Sequence, residues 1–167
     1  MILVLRLLHI LSGAFWYGSV MFNARFLLPS LGAVGPGAGA VVGQLNKRGL
    51  PQALMGAGIV NVASGVWLIY LVSGGDMRNW MQSSMGRTLA AGGTFAILAL
   101  IIGMIMNPPA AKRLGAIAAA IQQRGGPPTA EEAAQIAALQ GRLRMGTVIV
   151  ASLLTLAVAA MALGRYL

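Results

Sequence analysis

Two groups of side chains in this sequence could bind a metal ion or a prosthetic group. The first is the only histidine, His9, which lies in the apolar stretch LRLLHILSGAFWYGS. The second consists of Met77, Met81 and Met85, which follow one another at four-residue intervals. Imidazole nitrogen binds copper, zinc or heme iron, and soft thioether sulfur favours Cu(I). Metal or heme binding is therefore the chemistry that these residue types could support.

The elements that must position these residues are long and apolar. Of the 167 residues, 57% are hydrophobic and 9% are charged, against about 25% charged in an ordinary soluble domain. Four apolar runs approach the roughly 20 residues that a membrane-spanning helix needs: residues 2–28, 52–73, 88–106 and 144–166. Runs this long without period-two alternation exclude barrel strands. The sequence therefore predicts an all-α integral membrane protein, a four-transmembrane-helix bundle in a single membrane domain over residues 1–167.

The segment between the third and fourth spans predicts a helical hairpin that extends beyond the membrane. Residues 109–143 are helical in composition on both sides of the break RGGPP. Thr129, followed three residues later by Glu132, has the pattern of a capping box at the start of a helix. Pro108 and Pro109 are expected to kink the third span where the hairpin begins.

The connection between the first and second spans and the connection between the second and third spans differ in composition. The first, PSLGAVGPGAGAVVGQLNKRGLP, is rich in Gly and Pro and is expected to be irregular or a short re-entrant piece. In the second, Asp76 stands where an N-cap would begin a short interfacial helix. Four-residue steps advance only about 40° around a helix, so Met77, Met81 and Met85 would share one face of it.

Basic residues predict how the bundle is oriented. The first and third loops contain eight of the twelve: Arg25, Lys47, Arg48, Lys112, Arg113, Arg124, Arg142 and Arg144. The termini and second loop contain the other four: Arg6, Arg78, Arg87 and Arg165. By the positive-inside rule, the hairpin and first loop lie in the cytoplasm and both termini outside it, across the cell membrane. The net charge of +9 then reflects topology and contact with lipid, and no nucleic-acid partner is expected.

Small and polar residues mark the helix faces that should meet inside the bundle. On the first span, His9, Ser12, Gly13, Trp16, Ser19, Val20 and Asn23 fall within an arc of about 120°. Grooves for close helix packing are predicted on the second span at Gly58, Asn61 and Gly65, on the third at Gly92, Ala96, Ala99 and Gly103, and on the fourth at Ala151, Thr155, Ala159 and Ala162. Because lipid offers polar atoms no partner, His9 should face the bundle, with Asn61 or a cofactor beside it.

Each candidate site also has a purely structural interpretation. His9 could be a neutral, hydrogen-bonded residue near a helix end, a heme or metal ligand, or part of a proton relay. The methionines could form a weak Cu(I) site with His9, or they could dip into the membrane from an amphipathic interfacial helix. The sequence leaves these alternatives open.

Signatures of hydrolytic or phosphoryl-transfer enzymes are missing from the sequence. Its only acidic residues are Asp76, Glu131 and Glu132, and the last two belong to the first turn of a predicted helix. There is no phosphate-binding Gly-Lys-Ser/Thr loop and no histidine pair. The sequence favours a non-enzymatic protein that works alone, as a homo-oligomer or within a larger membrane complex.

Three segments give the chain a family resemblance. LLHILSGAFWYGSVMF, GIVNVASGVWLIY and RLRMGTVIVASLLTLAVAAMALGRYL resemble the CopD-like superfamily of small multi-pass membrane proteins, which includes copper-resistance proteins. This resemblance implies copper handling or transport. The Cu(I) site that the residues themselves offer for this function is Met77, Met81 and Met85 with His9.

The first helix is also distantly similar to the HemJ family of membrane protoporphyrinogen oxidases, which bind heme b. That similarity implies that His9 is an axial heme ligand and that Arg87 stands where the family has a Lys. With a single histidine, the heme would be five-coordinate or shared with a partner subunit. A third possibility is a non-catalytic structural subunit of a membrane complex.

Overall fold

The described chain consists almost entirely of helices. The computed structural model describes residues 1–34, 38–164 and 166. Within them lie seven α-helices and one π-helical turn, Asn23–Leu27, and no strand. The α-helices are α1 (Ile2–Phe22), α2 (Leu28–Val34), α3 (Ala38–Lys47), α4 (Leu50–Val72), α5 (Met77–Trp80), α6 (Ser84–Arg124) and α7 (Ala130–Leu163).

Four helical segments of the described chain are long and apolar enough to cross a membrane: Ile2–Val34, Leu50–Val72, Ser84–Arg124 and Ala130–Leu163. Their outward surfaces are apolar as well; on α1, Leu7 and Leu11 are 59% and 60% exposed. Apolar area of this extent is stable only against lipid. The protein is an all-α integral membrane protein, as the sequence predicts.

The four long helices form a bundle in which each packs against two neighbours, in the cyclic order α1, α4, α6, α7. Helices α1 and α4 are antiparallel, since His9 lies against Gly65 and Trp16 against Gly58. Tyr17 Oη and Thr155 Oγ1, 3.3 Å apart, join α1 to α7. The N-terminus and the connection after α4 therefore lie at one end of the bundle, and the α6–α7 hairpin extends from the other.

The predicted inner face of α1 is confirmed. Trp16 and Val20 are buried, and the other five residues of the face are partly buried. The stripes on α4 and α6 are confirmed too: Gly58, Asn61, Gly92, Ala96 and Ala99 are buried, and Gly65 and Gly103 are partly buried. Small side chains let these backbones approach closely, as the spacing predicts.

The predicted groove on α7 is confirmed at Ala151, is confirmed in part at Thr155, whose hydroxyl contacts Tyr17 of α1, and is wrong at Ala159 and Ala162. Ala151 is buried, but Thr155, Ala159 and Ala162 are exposed. The buried face instead consists of Gly146, Thr147, Val150, Ala151, Leu154 and Ala157. Because this span is apolar on all sides, its composition does not identify which face meets the bundle.

The first span is longer than the predicted 2–28. Helix α1 continues through the π-helical turn into α2, so helical structure extends to Val34. The first loop is not irregular, because α2 and α3 occupy most of it; residues 35–37 lie outside the described part of the chain. Helix α4 matches the predicted 52–73 within two residues.

The hairpin is present as predicted. Helix α6 runs without interruption through Pro108 and Pro109, so the predicted third span and the first arm of the hairpin are one helix. It ends at Gly125, whose φ of 70° is in the left-handed region that favours glycine. The capping box between Thr129 and Glu132 begins α7.

An ion pair closes the tip of the hairpin. Arg124 donates two hydrogen bonds of 2.7 Å to the carboxylate of Glu132. These bonds, with one from the backbone N–H of Thr129, lower the pKa of Glu132 to about 2. The same pairing raises the pKa of Arg124 above its ordinary value.

Candidate functional site

His9 is held against α4 by backbone and side-chain groups on two successive turns of that helix. Its Nδ1 is 2.8 Å from the carbonyl oxygen of Asn61 and 3.3 Å from Oγ of Ser64. In return, the side-chain Nδ2 of Asn61 donates to the carbonyl oxygen of His9 at 2.8 Å. We call this reciprocal pair of hydrogen bonds the His9–Asn61 clasp. Asn61 is thus the partner of His9 that the sequence predicts.

Two glycines make the clasp possible. A Cβ at Gly13 would lie 2.6 Å from Nδ2 of Asn61, and a Cβ at Gly65 would lie 2.8 Å from Cε1 of His9. Side-chain carbons approach other heavy atoms no closer than about 3.5 Å without repulsion. Each glycine therefore leaves room for one of the two polar side chains.

The clasp fixes the tautomer of His9. A carbonyl oxygen only accepts hydrogen bonds, so Nδ1 must carry the proton that it shares with Asn61. In the neutral ring, Nε2 then holds a lone pair, and no described residue donates to it. Metal-binding histidines are commonly oriented in this way, with one ring nitrogen donating to a backbone carbonyl and the other on the metal.

A small cavity, the His9 cavity, lies beside this histidine among all four long helices. Its volume is about 160 Å³. Its lining includes His9, Asn61, Thr94 and Met161. His9 lies about two helical turns, roughly 10 Å, from the start of α1, so the cavity is within the apolar part of the bundle.

The His9 cavity brings a thioether to the same space as the imidazole. Met161 is in the last turn of α7 and was not singled out from the sequence. Among the described residues, no group of three or more His, Cys, Asp or Glu side chains could hold a metal ion. Met161 is the methionine that lines the cavity among the described residues, so a thioether ligand for a metal ion at His9 would come from this residue.

Met77, Met81 and Met85, which we call the methionine surface, do not share one helix face. The Asp76 side chain accepts from the backbone N–H of Asn79 and begins α5, as predicted, but that helix ends at Trp80. A turn follows, and Met85 belongs to the first turn of α6.

The helix breaks there because Ser83 caps α6, accepting from the backbone N–H of Gly86 at 3.0 Å. All three methionines are exposed, by 37% to 44%. They lie at the same end of the bundle as the N-terminus of α1. Met85 is about 7.5 Å along α6 from Ala90, a residue of the His9 cavity.

The His9 cavity is small for a heme. Sites for cofactor-sized ligands have volumes of about 300–1,000 Å³, and this cavity has about 160 Å³. Arg87, which stands where the HemJ family has a Lys, is exposed in the first turn of α6 and does not line the cavity. The donor nitrogen suits heme iron, but the space suits a single metal ion.

Comparison of the chain with models of protein families, with curated proteins and with solved structures finds no match in any of the three. What the chain does must therefore be inferred from its own residues.

Proposed function

We propose that this integral membrane protein handles copper and binds Cu(I) in the His9 cavity. The observation that carries the proposal is the unpaired Nε2 of His9 beside a small cavity that Met161 also lines. An imidazole nitrogen and a thioether sulfur form a donor set suited to Cu(I). The resemblance of the first helix to CopD-like proteins agrees with this function.

The methionine surface would then be a capture site that feeds the His9 cavity. Its three thioethers are exposed at the end of the bundle nearest to that cavity. Soft ligands that are not held in one rigid array bind Cu(I) weakly, which allows the ion to move on. His9 and Met161 would hold the ion within the membrane.

The location of the capture site follows from the orientation that we propose. Arg25, Lys47, Arg48 and the hairpin cations Lys112, Arg113, Arg124, Arg142 and Arg144 lie at or beyond one end of the bundle. Arg6, Arg78 and Arg87 lie at the other; Arg165 is outside the described residues. By the positive-inside rule, the hairpin is cytoplasmic and the methionine surface faces outward across the cell membrane.

A structural role within an oligomer or a larger membrane complex is the second candidate. The His9–Asn61 clasp favours it, because interhelical hydrogen bonds join membrane helices without any ligand. On this account His9 would serve only to join α1 to α4, and the cavity would bind nothing.

Cu(I) affinity of the purified protein tests the proposal. We would measure competition with a Cu(I)-specific chelator, under reducing conditions in detergent, for the wild type, His9→Asn, Met161→Leu and Met104→Leu. Asparagine keeps a donor for the carbonyl of Asn61 but removes Nε2. Met104 is exposed on α6 and does not line the cavity, so its variant is the matched control.

We expect about one Cu(I) per chain and a loss of affinity of about tenfold or more in His9→Asn and Met161→Leu, with Met104→Leu unchanged. Replacing the methionine surface with leucines should slow loading more than it weakens affinity. If the wild type binds no Cu(I), and the variants therefore do not differ from it, the copper proposal fails and the structural role becomes the better account. A Soret absorption band that disappears in His9→Asn would instead identify a heme protein and overturn the copper proposal.

A further inference from the structure

A second concave surface lies at the opposite end of the bundle from the methionine surface. This groove, which we call the Phe22 groove, has a volume of about 320 Å³. It lies between α1 with its π-helical turn, α3 and the start of α4. Its apolar lining includes Phe22, Leu27, Leu45 and Leu50. The groove is thus on the outer surface of the bundle, where lipid can enter it.

Two polar side chains in the Phe22 groove have no partner. Ser19 and Asn23 both line it, and within the described residues neither the hydroxyl of Ser19 nor the carboxamide of Asn23 makes a hydrogen bond. Both side chains are partly buried. Polar groups in an apolar setting are costly unless a partner is present. The groove therefore suits an occupant that is apolar but offers hydrogen-bond acceptors.

Three basic residues without a carboxylate partner in the described chain are close in sequence to residues that line the groove. Arg25 lies between Asn23 and Leu27 in the π-helical turn, and Lys47 and Arg48 lie between Leu45 and Leu50. All three cations are exposed.

None of these cations has a carboxylate to neutralise it. The described salt bridge, Arg124 with Glu132, is at the tip of the hairpin, beside Glu131. The remaining acidic residue, Asp76, caps α5 at the other end of the bundle. The segments that line the Phe22 groove therefore carry a net positive charge, which complements an anion.

The depth of these groups matches that of a phospholipid. Ser19 is about 6 Å deeper along α1 than Asn23, and the cations are at the end where the apolar helices leave the membrane. An acyl chain would lie on the leucines and Phe22, the ester carbonyls would accept from Ser19 and Asn23, and the phosphate would be near the cations. A groove of this volume takes one chain segment with its glycerol linkage.

We infer that the Phe22 groove binds an anionic phospholipid of the surrounding leaflet. Bulk attraction of basic residues to an anionic membrane would not require a groove or unpaired polar side chains within it. An anionic phospholipid combines an apolar chain, hydrogen-bond acceptors and a negative charge in one molecule. Their order along the lipid matches the order of the apolar residues, the two polar side chains and the cations along the bundle. This inference is independent of what the His9 cavity binds.

Native mass spectrometry of the full chain, extracted from vesicles of phosphatidylglycerol and phosphatidylcholine in equal amounts, tests the inference. The groove variant is Arg25→Gln, Lys47→Gln and Arg48→Gln together. The control changes the same number of charges on the hairpin: Lys112→Gln, Arg113→Gln and Arg142→Gln. A second groove variant, Gly18→Leu, fills the groove without changing charge, because a Cβ at Gly18 has no neighbour within 4 Å.

We expect the wild type and the hairpin control to retain one phosphatidylglycerol per chain in preference to phosphatidylcholine. Retention should fall about tenfold or more in both groove variants, while their unfolding midpoints in detergent stay near that of the wild type. Equal losses in the groove and hairpin triple variants would mean non-specific attraction and would overturn the inference. So would a wild type without preference between the lipids, or displacement of the lipid by inorganic phosphate alone.

Discussion

Replacing Gly65 with alanine should displace the imidazole of His9 and so break the His9–Asn61 clasp. A Cβ at this position would lie 2.8 Å from Cε1 and 3.3 Å from Nδ1 of His9. Carbon atoms reach their optimal separation at about 3.5–4.0 Å, so the ring must retreat by about 0.7 Å or more. A retreat of that size would stretch the 2.8 Å bond to the carbonyl of Asn61 to about 3.5 Å, where little hydrogen bonding remains.

The energetic effect can be compared with that of a glycine on the same helix. Gly56 is exposed on α4, and a Cβ there would have no neighbour within 4 Å. Both changes to alanine gain the same helix propensity, up to about 1 kcal/mol. Only Gly65→Ala adds overpacking of about 1–3 kcal/mol and the loss of an interhelical hydrogen bond worth about 0.6 kcal/mol. We expect a difference of about 2 kcal/mol between the variants, roughly a factor of 30 in the unfolding equilibrium constant.

Two measurements follow this change. Unfolding in mixed micelles of increasing SDS content, observed through tryptophan fluorescence, gives the free-energy difference; Trp16 is buried where α1 meets α4 and responds to their separation. The imidazole ¹⁵N spectrum of protein labelled on histidine reports the clasp itself. Because His9 is the only histidine, that spectrum contains a single ring. The protonated Nδ1 signal should shift in Gly65→Ala and stay in place in Gly56→Ala.

Equal stability of the two variants, with the ring nitrogens of His9 unshifted in both, would contradict the expected displacement of the imidazole. Such a result would mean that the imidazole does not pack against Gly65. Greater instability of Gly65→Ala with an unchanged ¹⁵N spectrum would also count against the clasp, because the cost would then arise elsewhere in the contact.

Two further predictions concern the hairpin and its orientation. Because hydrogen bonds from Arg124 and the capping box hold the pKa of Glu132 at about 2, below the ordinary 4.5, its contribution to stability is complete above about pH 4.5 and is lost as the pH falls towards 2. The amide protection factors at the tip of the hairpin, which compare the measured exchange rate with the intrinsic rate at each pH, should fall over that range in the wild type and not in Glu132→Gln, and an equal acid response in both would contradict the assignment. A reporter that is active only in the cytoplasm should be inactive when fused after Leu167 and active when inserted between Gly125 and Gly126, whereas the reverse pattern would invert the proposed orientation.

Much of the bundle can be predicted from the sequence because lipid restricts where polar residues can lie in a membrane-spanning helix. A polar atom in an apolar span must find a partner, so the face of α1 that contains His9 could be assigned inward, and Asn61 could be named as its partner. Glycines at helical spacing on α4 identify the surface that α1 approaches. The capping residues Asp76 and Thr129 are readable because their hydrogen bonds are local and do not depend on packing.

The misassigned elements are those in which the deciding interaction is not local. Helix α7 has no polar residue strong enough to orient it, so its buried face depends on packing with α6, and Met161 was missed for the same reason. The continuous helix through Met77 and Met85 was ruled out by the capping of α6 at Ser83, which competes with propagation of α5. The four-residue spacing of the methionines does not indicate whether α5 continues or a new helix begins at Ser83.

The choice of histidine in the clasp bears on function. If position 9 only had to donate to the carbonyl of Asn61, a side chain without a second ring nitrogen could do so. The structure gives Nε2 no donor among the described residues, and the ring borders a cavity that Met161 also lines. The lone pair of Nε2 is therefore free to bind an ion in that cavity. His9→Asn separates the two roles: if the clasp is the whole purpose, the variant keeps both stability and function, and if Nε2 binds the ion, it keeps stability alone.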